Sequence, residues 1–467
     1  MRHVVIKGGH VVSMDAALGE LAGADILVED DRIVAVARGI EAEGAEIIDA
    51  TQKIVLPGLI NGHLHTWQTG LRGLAADWTV AQYMQAMHRG LATLYRPDDI
   101  YIGNLLGALN QINAGATTLV DWCHNNPTPD HTDGAIRGLE ESGIRALFLH
   151  GSPKPDPKPG QKHFSEVPMP RSEVARLRKT KFSSDRGLMT FGLAILGPYY
   201  STYEVTSADV RLAREFDLFA SMHVGGGSPK VAGGFERLLD DNLVDSKFTV
   251  VHGNDIAPDT VARIVDRGGT FTVTAEIELQ MGYGDPLTGV LHERNAPISI
   301  GTDVEPAVGS DLFTCMRITL QHERNRGITE YLGKFGSRPQ NSALTCRDAL
   351  SWVTTSAAKI AGLDSRVGSL TPGKQADIIM LRADDINMVP SQDIIGCVVM
   401  QANPANVDTV MIAGRVVKRA GKLLFAGLRD KLAALQSSGE RILGDFAALP
   451  RVGTHCRSSE ISSGTPG

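Results

Sequence analysis

Two histidines separated by one residue, His63 and His65, end the apolar run V-L-P-G-L-I-N-G-H-L-H at 55–65. Side chains alternate between the two faces of a β-strand, so residues i and i+2 share a face. Both imidazoles can therefore reach one metal ion from the end of a strand. The Pro57-Gly58 break before them lets the chain bend towards that ion. The pair predicts a metal site if other strand ends supply further ligands.

Three further residues of suitable chemistry end later apolar runs. His223 follows A-S-M, His252 follows T-V-V, and Asp303 ends the run I-S-I-G-T-D. Imidazoles and a carboxylate suit a borderline divalent ion such as zinc, iron(II) or manganese. A single histidine after a strand is more often a hydrogen-bonded core residue than a ligand. The whole set is hard to explain in that way, so we expect these side chains to converge on one point.

The elements that must position these residues lie in the middle of the chain, where short apolar runs alternate with helical patterns. This alternation predicts an α/β fold, a (β/α)8 TIM-like barrel, whose active-site groups sit at the C-terminal ends of the strands. The eight candidate strands are I-V-L-P-G-L-I-N-G-H, T-T-L-V-D-W, R-A-L-F-L-H-G, M-T-F-G-L-A-I-L, L-F-A-S-M-H-V, F-T-V-V-H-G, T-F-T-V-T-A and P-I-S-I-G-T-D.

Both ends of the chain read as short strands with glycine turns. We therefore expect a small β-sandwich domain built from residues 1–56 and 366–427, flanking a metal-dependent hydrolase barrel over 57–365. Residues 428–467 predict a C-terminal helix followed by a small, polar and disordered tail. A segment rich in Pro, Lys and Ser, 152–184, interrupts the barrel pattern after the third strand. It is either a substrate lid or a solvated surface loop.

Bulk composition narrows the function. Hydrophobic content of 42% and charged content of 21% are ordinary for a globular protein. A net charge of −7 gives no indication of a nucleic-acid or membrane partner. The N-terminal residues show no long apolar region, so we expect no signal peptide, and no run approaches the roughly 20 apolar residues that span a membrane. The five cysteines are scattered, which predicts reduced thiols and a cytoplasmic location.

Several motifs together resemble one enzyme family. They are P-G-L-I-N-G-H-L-H followed by L-R-G, the V-H-G and G-T-D strand ends, and V-G-S-L-T-P-G-K-Q-A-D at 367–377. The chain resembles the amidohydrolase superfamily, in the chlorohydrolase and aminohydrolase branch that includes triazine hydrolases and cytosine deaminase-like enzymes. The resemblance covers nearly the whole chain apart from the tail.

The resemblance implies roles for the strand-end residues. His63, His65, His223 and Asp303 would bind the metal, and His252 would hydrogen-bond the water or the attacked substrate atom. The binuclear branches carry a bridging lysine on strand four, but F-G-L-A-I-L-G-P-Y-Y offers none here. We therefore expect one divalent ion per chain, with zinc first and iron or manganese as alternatives.

The expected reaction is hydrolysis at an electrophilic carbon by water that the metal activates. Asp303 would accept the proton of that water, and His252 would stabilise the developing oxyanion. The substrate would be a small cyclic or aromatic nitrogen compound whose C–N bond is cleaved by deamination or by amide or amine hydrolysis. Two alternatives remain: dechlorination of a heteroaromatic ring, and a barrel that binds metal or ligand without turnover. The resemblance also implies a homo-oligomer, a dimer or larger.

The sequence departs from the family at two points. Aminohydrolases of this group usually have glutamate three residues after the strand-five histidine, but here the residue is Gly226, within a run of three glycines. The run could admit a bulkier substrate or simply form a turn. After strand seven, Glu276 and Glu278 stand near the barrel mouth. Either glutamate could replace the missing acid or recognise a cationic group, or both could be solvated or paired to Arg or Lys. Glu278 matches the position of the family's usual Asn.

Other polar and aromatic residues follow the strand ends and could line the mouth of the barrel. Trp67 and Gln68 come directly after the paired histidines, and Tyr199 follows strand four. We expect these three to contact substrate, with the aromatic rings stacking on a flat heterocycle, although aromatic rings can also simply pack the upper layer of the barrel. Weaker candidates on the same rim are Trp78, His88, Trp122 and His124.

Overall fold

The computed structural model describes residues 2–449. The tail predicted to be disordered, from Thr454 onwards, lies outside these residues. The strands are β1 (His3–Val12), β2 (Glu20–Glu29), β3 (Arg32–Ala37), β4 (Glu46–Asp49), β5 (Lys53–Pro57), β6 (Leu59–Leu64), β7 (Ala116–Cys123), β8 (Arg145–Gly151), β9 (Met189–Ala194), β10 (Phe219–Val224), β11 (Phe248–His252), β12 (Thr270–Val273), β13 (Ile298–Ile300), β14 (Ile378–Arg382), β15 (Val407–Ile412), β16 (Arg415–Arg419) and β17 (Lys422–Leu423).

Helices fill most of the connections between the strands. The α-helices are α1 (Val80–Tyr83), α2 (Pro97–Asn113), α3 (Pro129–Ser142), α4 (Arg171–Lys179), α5 (Gly197–Tyr200), α6 (Tyr203–Glu215), α7 (Gly234–Asp240), α8 (Pro258–Asp266), α9 (Ala275–Met281), α10 (Thr288–Glu293), α11 (Leu312–Phe335), α12 (Cys346–Trp352), α13 (Thr355–Ile360), α14 (Ile394–Met400) and α15 (Leu428–Ala447). A π-helical turn spans Met84–His88, and 3-10 turns span Thr66–Leu71, Leu91–Leu94, Phe164–Glu166 and Pro404–Asn406. Within residues 2–449 no helix has the length and apolar character needed to cross a bilayer.

The eight central strands, β6 to β13, form one parallel sheet in sequence order. The two ends of this sheet meet through a parallel bridge between Leu64 and Asp303. Most residues of these strands are buried, as expected for a parallel sheet that helices cover on its outer face. The predicted (β/α)8 barrel is confirmed, and it brings the C-terminal ends of all eight strands to one face.

A second sheet combines both ends of the chain, as predicted. Its order is β17-β16-β15-β14-β5-β1-β2-β3, with β4 pairing with β1. The first predicted barrel strand is divided between the two sheets, because β5 pairs antiparallel with β14 and only β6 enters the barrel. The division falls at Pro57-Gly58. A side chain at Gly58 would lie 2.1 Å from Thr117, so only glycine fits where the chain crosses over.

A buried ion pair links the second sheet to the barrel. Arg145, the first residue of β8, donates from Nε and Nη2 to the carboxylate of Asp377, at 2.8 Å each. Asp377 Oδ1 also accepts the backbone N–H of Ala413 at 2.9 Å. Because Arg145 begins its strand, this junction lies at the end of the barrel opposite the strand C-termini.

The segment 152–184 is partly packed against the barrel. Lys154, Ser165 and Met169 are buried, while much of the rest is exposed. Asp209 on α6 accepts the backbone N–H of Met169 at 2.8 Å. These contacts fix several points of the segment over the barrel mouth.

Candidate metal centre

Four of the predicted ligands meet at the C-terminal face of the barrel. The possible ligand atoms of His63, His65, His223 and Asp303 all lie within 4.8 Å of one another, and all four residues are buried. Asp303 Oδ1 lies 3.0 Å from His63 Nε2 and 3.3 Å from His65 Nε2. The backbone holds the two strand ends together, because Asp303 N donates to His63 O and His65 N donates to Asp303 O.

The donor set fits a divalent metal ion. His63 Nε2 and His223 Nε2 lie 3.1 Å apart, a distance at which two neutral ring nitrogens need a proton or a cation between their lone pairs. Metal bonds of about 2.0–2.2 Å place neighbouring donors at such separations. His65 Nδ1 donates to the Trp122 carbonyl at 2.7 Å, which leaves its Nε2 free to bind metal.

Burial keeps the imidazoles in the form that binds metal. It lowers the pKa of His63 and His223, and it lowers the pKa of His65 to about 3. Burial alone would raise the pKa of Asp303, but the hydrogen bond from His63 and the surrounding imidazoles hold this pKa below its ordinary value. Neutral imidazoles and an ionised carboxylate are the forms that bind a divalent ion.

The two predicted catalytic residues have unusual backbone conformations. His252 has φ of +66° and Asp303 has φ of +61°, both in the left-handed region that L-residues rarely adopt. Such conformations cost roughly 1–3 kcal/mol each and cluster at functional sites. The strain turns each side chain at its strand end towards the axis of the barrel, where the imidazole Nε2 of His252 lies 3.9 Å from Asp303 Oδ2.

A buried carboxylate supports His252 from behind. Glu278 Oε1 lies 3.2 Å from His252 Nδ1 and accepts the backbone N–H of Thr274 at 2.8 Å. Asn254 Nδ2 donates to the other oxygen of Glu278 at 3.3 Å. Glu278 is fully buried on α9 and has no arginine or lysine partner within the described part of the chain. It contacts the imidazole and does not line the cavity.

The remaining predicted substrate contacts are placed differently. Glu276 lies outside the cavity lining, and burial raises its pKa to about 7. Trp67 is buried under Tyr95 and His124, and Gln68 is buried with its amide donating to Tyr83. Tyr199 also lies outside the cavity. Trp67 and Gln68 therefore lie behind the wall, and none of the four residues lines the cavity.

The glycine run after strand five forms a turn whose last two residues, Gly226 and Gly227, are exposed. Gly225, Gly226 and Gly227 have φ of +117°, +84° and +140°, conformations that strongly favour glycine. A Cβ on Gly226 would lie 2.9 Å from Val80 and 3.3 Å from the Tyr200 hydroxyl, which itself donates to Gly225 O at 2.6 Å. Tyr200 and Val80 therefore occupy the space beside the position where relatives of this branch carry glutamate.

The cavity over the cluster is small and aromatic. Its volume is about 30 Å³, enough for about two water molecules. A larger groove of about 520 Å³ runs along α11, but none of the clustered histidines lines it. The lining residues are His65, Tyr83, Met84, His88, His124, Lys154, Tyr200, His223, His252, Tyr283 and Asp303.

Sequence reasoning missed five residues that line the cavity. They are Lys154, Met84, Tyr83, Tyr200 and Tyr283. Lys154 comes from the segment 152–184, and burial lowers its pKa to about 8. The only signal was its place just after a barrel strand in an insertion, which several other lysines share. Met84 and His88 sit on the π-helical turn, a feature that often marks functional sites but has no clear sequence pattern.

A family model, described as the Amidohydrolase family, matches residues 54–417, which is most of the chain. The chain therefore belongs to the amidohydrolase family. One relative is the 5-methylthioadenosine/S-adenosylhomocysteine deaminase of Symbiobacterium thermophilum, 25% identical over 95% of this chain and 100% of the relative. The predicted class, a hydrolase acting on carbon–nitrogen bonds other than peptide bonds, is confirmed.

Solved structures share the fold. An adenosine deaminase from Xanthomonas campestris with bound zinc has a TM-score of 0.79 at 20% identity, covering 94% of this chain and 98% of that one. The atrazine chlorohydrolase of Arthrobacter aurescens, complexed with zinc, has a TM-score of 0.81 at 21% identity, covering 93% of this chain and 100% of that one. At these identities the likeness establishes the fold alone.

Proposed function

We propose that this member of the amidohydrolase family is a mononuclear zinc-dependent aminohydrolase that removes an amino group from a small nitrogen heterocycle. The observation that carries the proposal is the convergence of three imidazoles and Asp303 beside His252 at the mouth of the barrel. The deaminase and zinc named for the relatives support the reaction and the metal. Strand β9 and the residues after it offer no bridging lysine, which supports one ion.

His63, His65, His223 and Asp303 would hold the ion. A divalent ion bound there lowers the pKa of a water molecule and polarises the bond under attack. Asp303 takes the proton of the attacking water and passes it to the leaving amine. Its left-handed backbone and its bonds to the β6 end hold the carboxylate in place during both transfers.

His252 acts on the other side of the attacked carbon. A proton on Nδ1 lies between Glu278 Oε1, at 3.2 Å, and Thr274 Oγ1, at 2.9 Å, which leaves Nε2 facing the cavity. Nε2 can take up a proton and donate it as a hydrogen bond to the atom that becomes negative. The charge of Glu278 stabilises this protonated imidazole, so Glu278 is a positioning residue that acts through His252.

Hydrolytic dechlorination is the second candidate, and Gly226 favours it. The strand-five glutamate of related aminohydrolases protonates a ring nitrogen, and here a glycine held by Tyr200 and Val80 takes its place. Chloride leaves without accepting a proton, whereas an amine must be protonated to leave, so dechlorination needs one proton transfer fewer at a site that lacks this acid. The atrazine chlorohydrolase among the structural neighbours makes this reaction chemically plausible for the fold.

The test is product release by the full chain loaded with zinc, assayed against amino-heterocycles, nucleosides and chlorinated triazines. Ammonia and chloride are measured together, and metal per chain is counted by mass spectrometry. We expect ammonia from one subgroup and about one zinc per chain. Asp303→Asn should abolish release, whereas Asp98→Asn, the same change at a carboxylate that is 92% exposed, should not. Chloride without ammonia would replace the proposal with its rival, and neither product would refute both.

Two finer predictions stay open beside this one. A homo-oligomer, dimer or larger, is tested by light scattering on the purified chain. A cytoplasmic location is tested by fractionating cells that express it.

A further inference from the structure

Lys154 is a largely buried residue whose ammonium reaches the cavity at the metal centre and has no anionic partner in the described part of the chain. The residue is 5% exposed, and its side chain lines the cavity. Its Nζ lies 4.4 Å from the centre of the Tyr200 ring and 5.8 Å from that of Trp122. No carboxylate of the described chain lies within 4.0 Å of this nitrogen, and no described acceptor hydrogen-bonds it. Buried charges of this kind are normally paired.

The nearby carboxylates already have other partners. Asp303 contacts His63 and His65, and Glu278 is held by His252, Thr274 and Asn254. The two negative charges balance a divalent ion, and burial keeps the imidazoles of His65 and His223 neutral. Among the described residues at the site, Asp303 would therefore serve the ion and Glu278 serves His252, while the ammonium of Lys154 has no carboxylate of its own.

We propose that Lys154 recognises an anionic oxygen on the substrate, so that the substrate class is acidic heterocycles that carry a carboxylate or an ionised ring hydroxyl. The inference rests on the proposed function for the reaction and adds the substrate class. Cation–π contacts with Tyr200 and Trp122 hold the ammonium but leave its N–H donors free, which suits a ligand that accepts hydrogen bonds.

The position of Lys154 also suits substrate entry. The cavity of about 30 Å³ is tight for a heterocyclic ring, so side chains in its wall that can move aside would ease binding. Met84 and Lys154 are the two unbranched, flexible side chains in that wall. We expect them to move when a ring enters, with the ammonium following the anionic oxygen.

The test is calorimetric binding of three probes to the zinc-loaded chain: an aminopyrimidine carboxylate, the corresponding carboxamide, and barbiturate as an ionised ring hydroxyl. We expect at least one anion to bind about 10–100-fold more tightly than the carboxamide, as for a charge-assisted hydrogen bond. Lys154→Met should remove this difference, and Lys154→Arg should keep part of it. Lys158→Met is the matched control, because Lys158 is exposed in the same segment.

Each outcome decides the inference separately from the reaction. Equal affinity for charged and neutral probes overturns it, and so does an anion preference that survives in Lys154→Met, since the metal would then bind the anion directly. If Lys154→Met unfolds, Lys154→Gln takes its place as the neutral variant. Loss of the preference in Lys154→Gln, with part of it kept in Lys154→Arg, supports the inference. An unaltered preference in Lys154→Gln overturns it. Absence of ammonia release refutes the proposed function but leaves the binding result intact.

Discussion

Buried charges occur at both ends of the barrel, but their partners differ. At the N-terminal end, Arg145 and Asp377 face each other with side chains that are 0% and 2% exposed, and two hydrogen bonds join them. At the C-terminal end, three imidazoles surround Asp303, and two ring nitrogens lie 3.1 Å apart. The first cluster contains its own cation, whereas the second is a set of lone pairs that needs a cation from solution.

The difference separates a structural role from a chemical one. A buried pair of opposite charges joined by two hydrogen bonds fixes the second sheet against β8 and supplies both of its own charges, although Arg145 Nη1 has no hydrogen-bond partner among the described residues. A buried group of acceptors is costly unless a ligand completes it, and it therefore marks a binding site. The two ends should respond in opposite ways to mutation, one in stability and the other in activity.

The largest effect is expected at the metal end. His63→Ala removes a ligand at the centre of the cluster, so metal per chain should fall to a small fraction of the wild-type value. Activity should fall by more than the roughly 100-fold typical of losing an outer partner of a metal ligand. Metal analysis and kcat/KM measure both effects, with His3→Ala, at a partly exposed histidine far from the cluster in sequence, as control. Full metal content in His63→Ala would remove this histidine from the ligand set.

At the N-terminal end of the barrel, mutation should lower stability and leave metal binding and activity nearly unchanged. Arg145→Met leaves the Asp377 carboxylate buried and unpaired, which should lower the free energy of unfolding by about 3–5 kcal/mol. Metal content and kcat of the folded fraction should stay near wild type. Urea denaturation measures the loss, and Arg137→Met, at an arginine that is 56% exposed, is the control. The double variant with Asp377→Leu should be more stable than Arg145→Met alone; if it is not, an unpaired charge is not the cause.

Sequence reasoning succeeded for the ligand residues, because their positions follow from the pattern of the barrel strands. Each predicted ligand stands at the end of an apolar run, and the barrel topology brings such ends together, so His223 and Asp303 could be placed beside His63 from 160 and 240 residues away. The hydrophobic pattern of the sequence could not show that the first apolar run is divided between two sheets. That division depends on the pairing of β5 with β14, a contact between distant parts of the chain.

The cavity wall was less predictable because loops build it. Lys154 and Tyr200 lie beyond the strand ends, where no period relates sequence position to direction. Tyr199 and Tyr200 are neighbours, and the sequence gives no reason to prefer one of them, yet only Tyr200 lines the cavity. Glu278 could be assigned to the barrel mouth from its place after strand seven. Its contact with His252 depends on the turn of α9, which the sequence does not reveal.

Glu278 tests whether a carboxylate at the metal end acts in catalysis or only fills the core. Glu278→Gln keeps the shape but removes the charge that stabilises a protonated His252, so kcat should fall about 10–100-fold. KM and metal content should change little, because the glutamate belongs neither to the metal-ligand group nor to the cavity lining. Steady-state kinetics separate these quantities, and Glu330→Gln, at a glutamate that is 63% exposed, is the control. An unchanged kcat would reduce Glu278 to a structural residue.

Asp209 sharpens the comparison, because it is a buried carboxylate that pairs with no arginine or lysine of residues 2–449 and belongs to no metal-ligand cluster there. The residue is 2% exposed, and its carboxylate accepts a hydrogen bond from the Met169 N–H. Burial raises its pKa from 3.8 to about 7. The native state therefore keeps a proton that the unfolded chain releases above about pH 4. The resulting stability is complete below that pH and is lost as pH rises towards 7.

Asp209→Asn should remove this pH dependence, because an amide keeps the shape and cannot ionise. Between pH 5 and pH 7 the wild type should lose about 1–2 kcal/mol of unfolding free energy more than the variant does, since one pKa unit corresponds to about 1.4 kcal/mol. Urea denaturation at several pH values measures the difference, and Asp240→Asn, at a carboxylate that is 68% exposed, should behave like wild type. Parallel pH profiles in Asp209→Asn and wild type would mean that Asp209 stays ionised, and that burial at the anchor of segment 152–184 is tolerated without a proton or a cation.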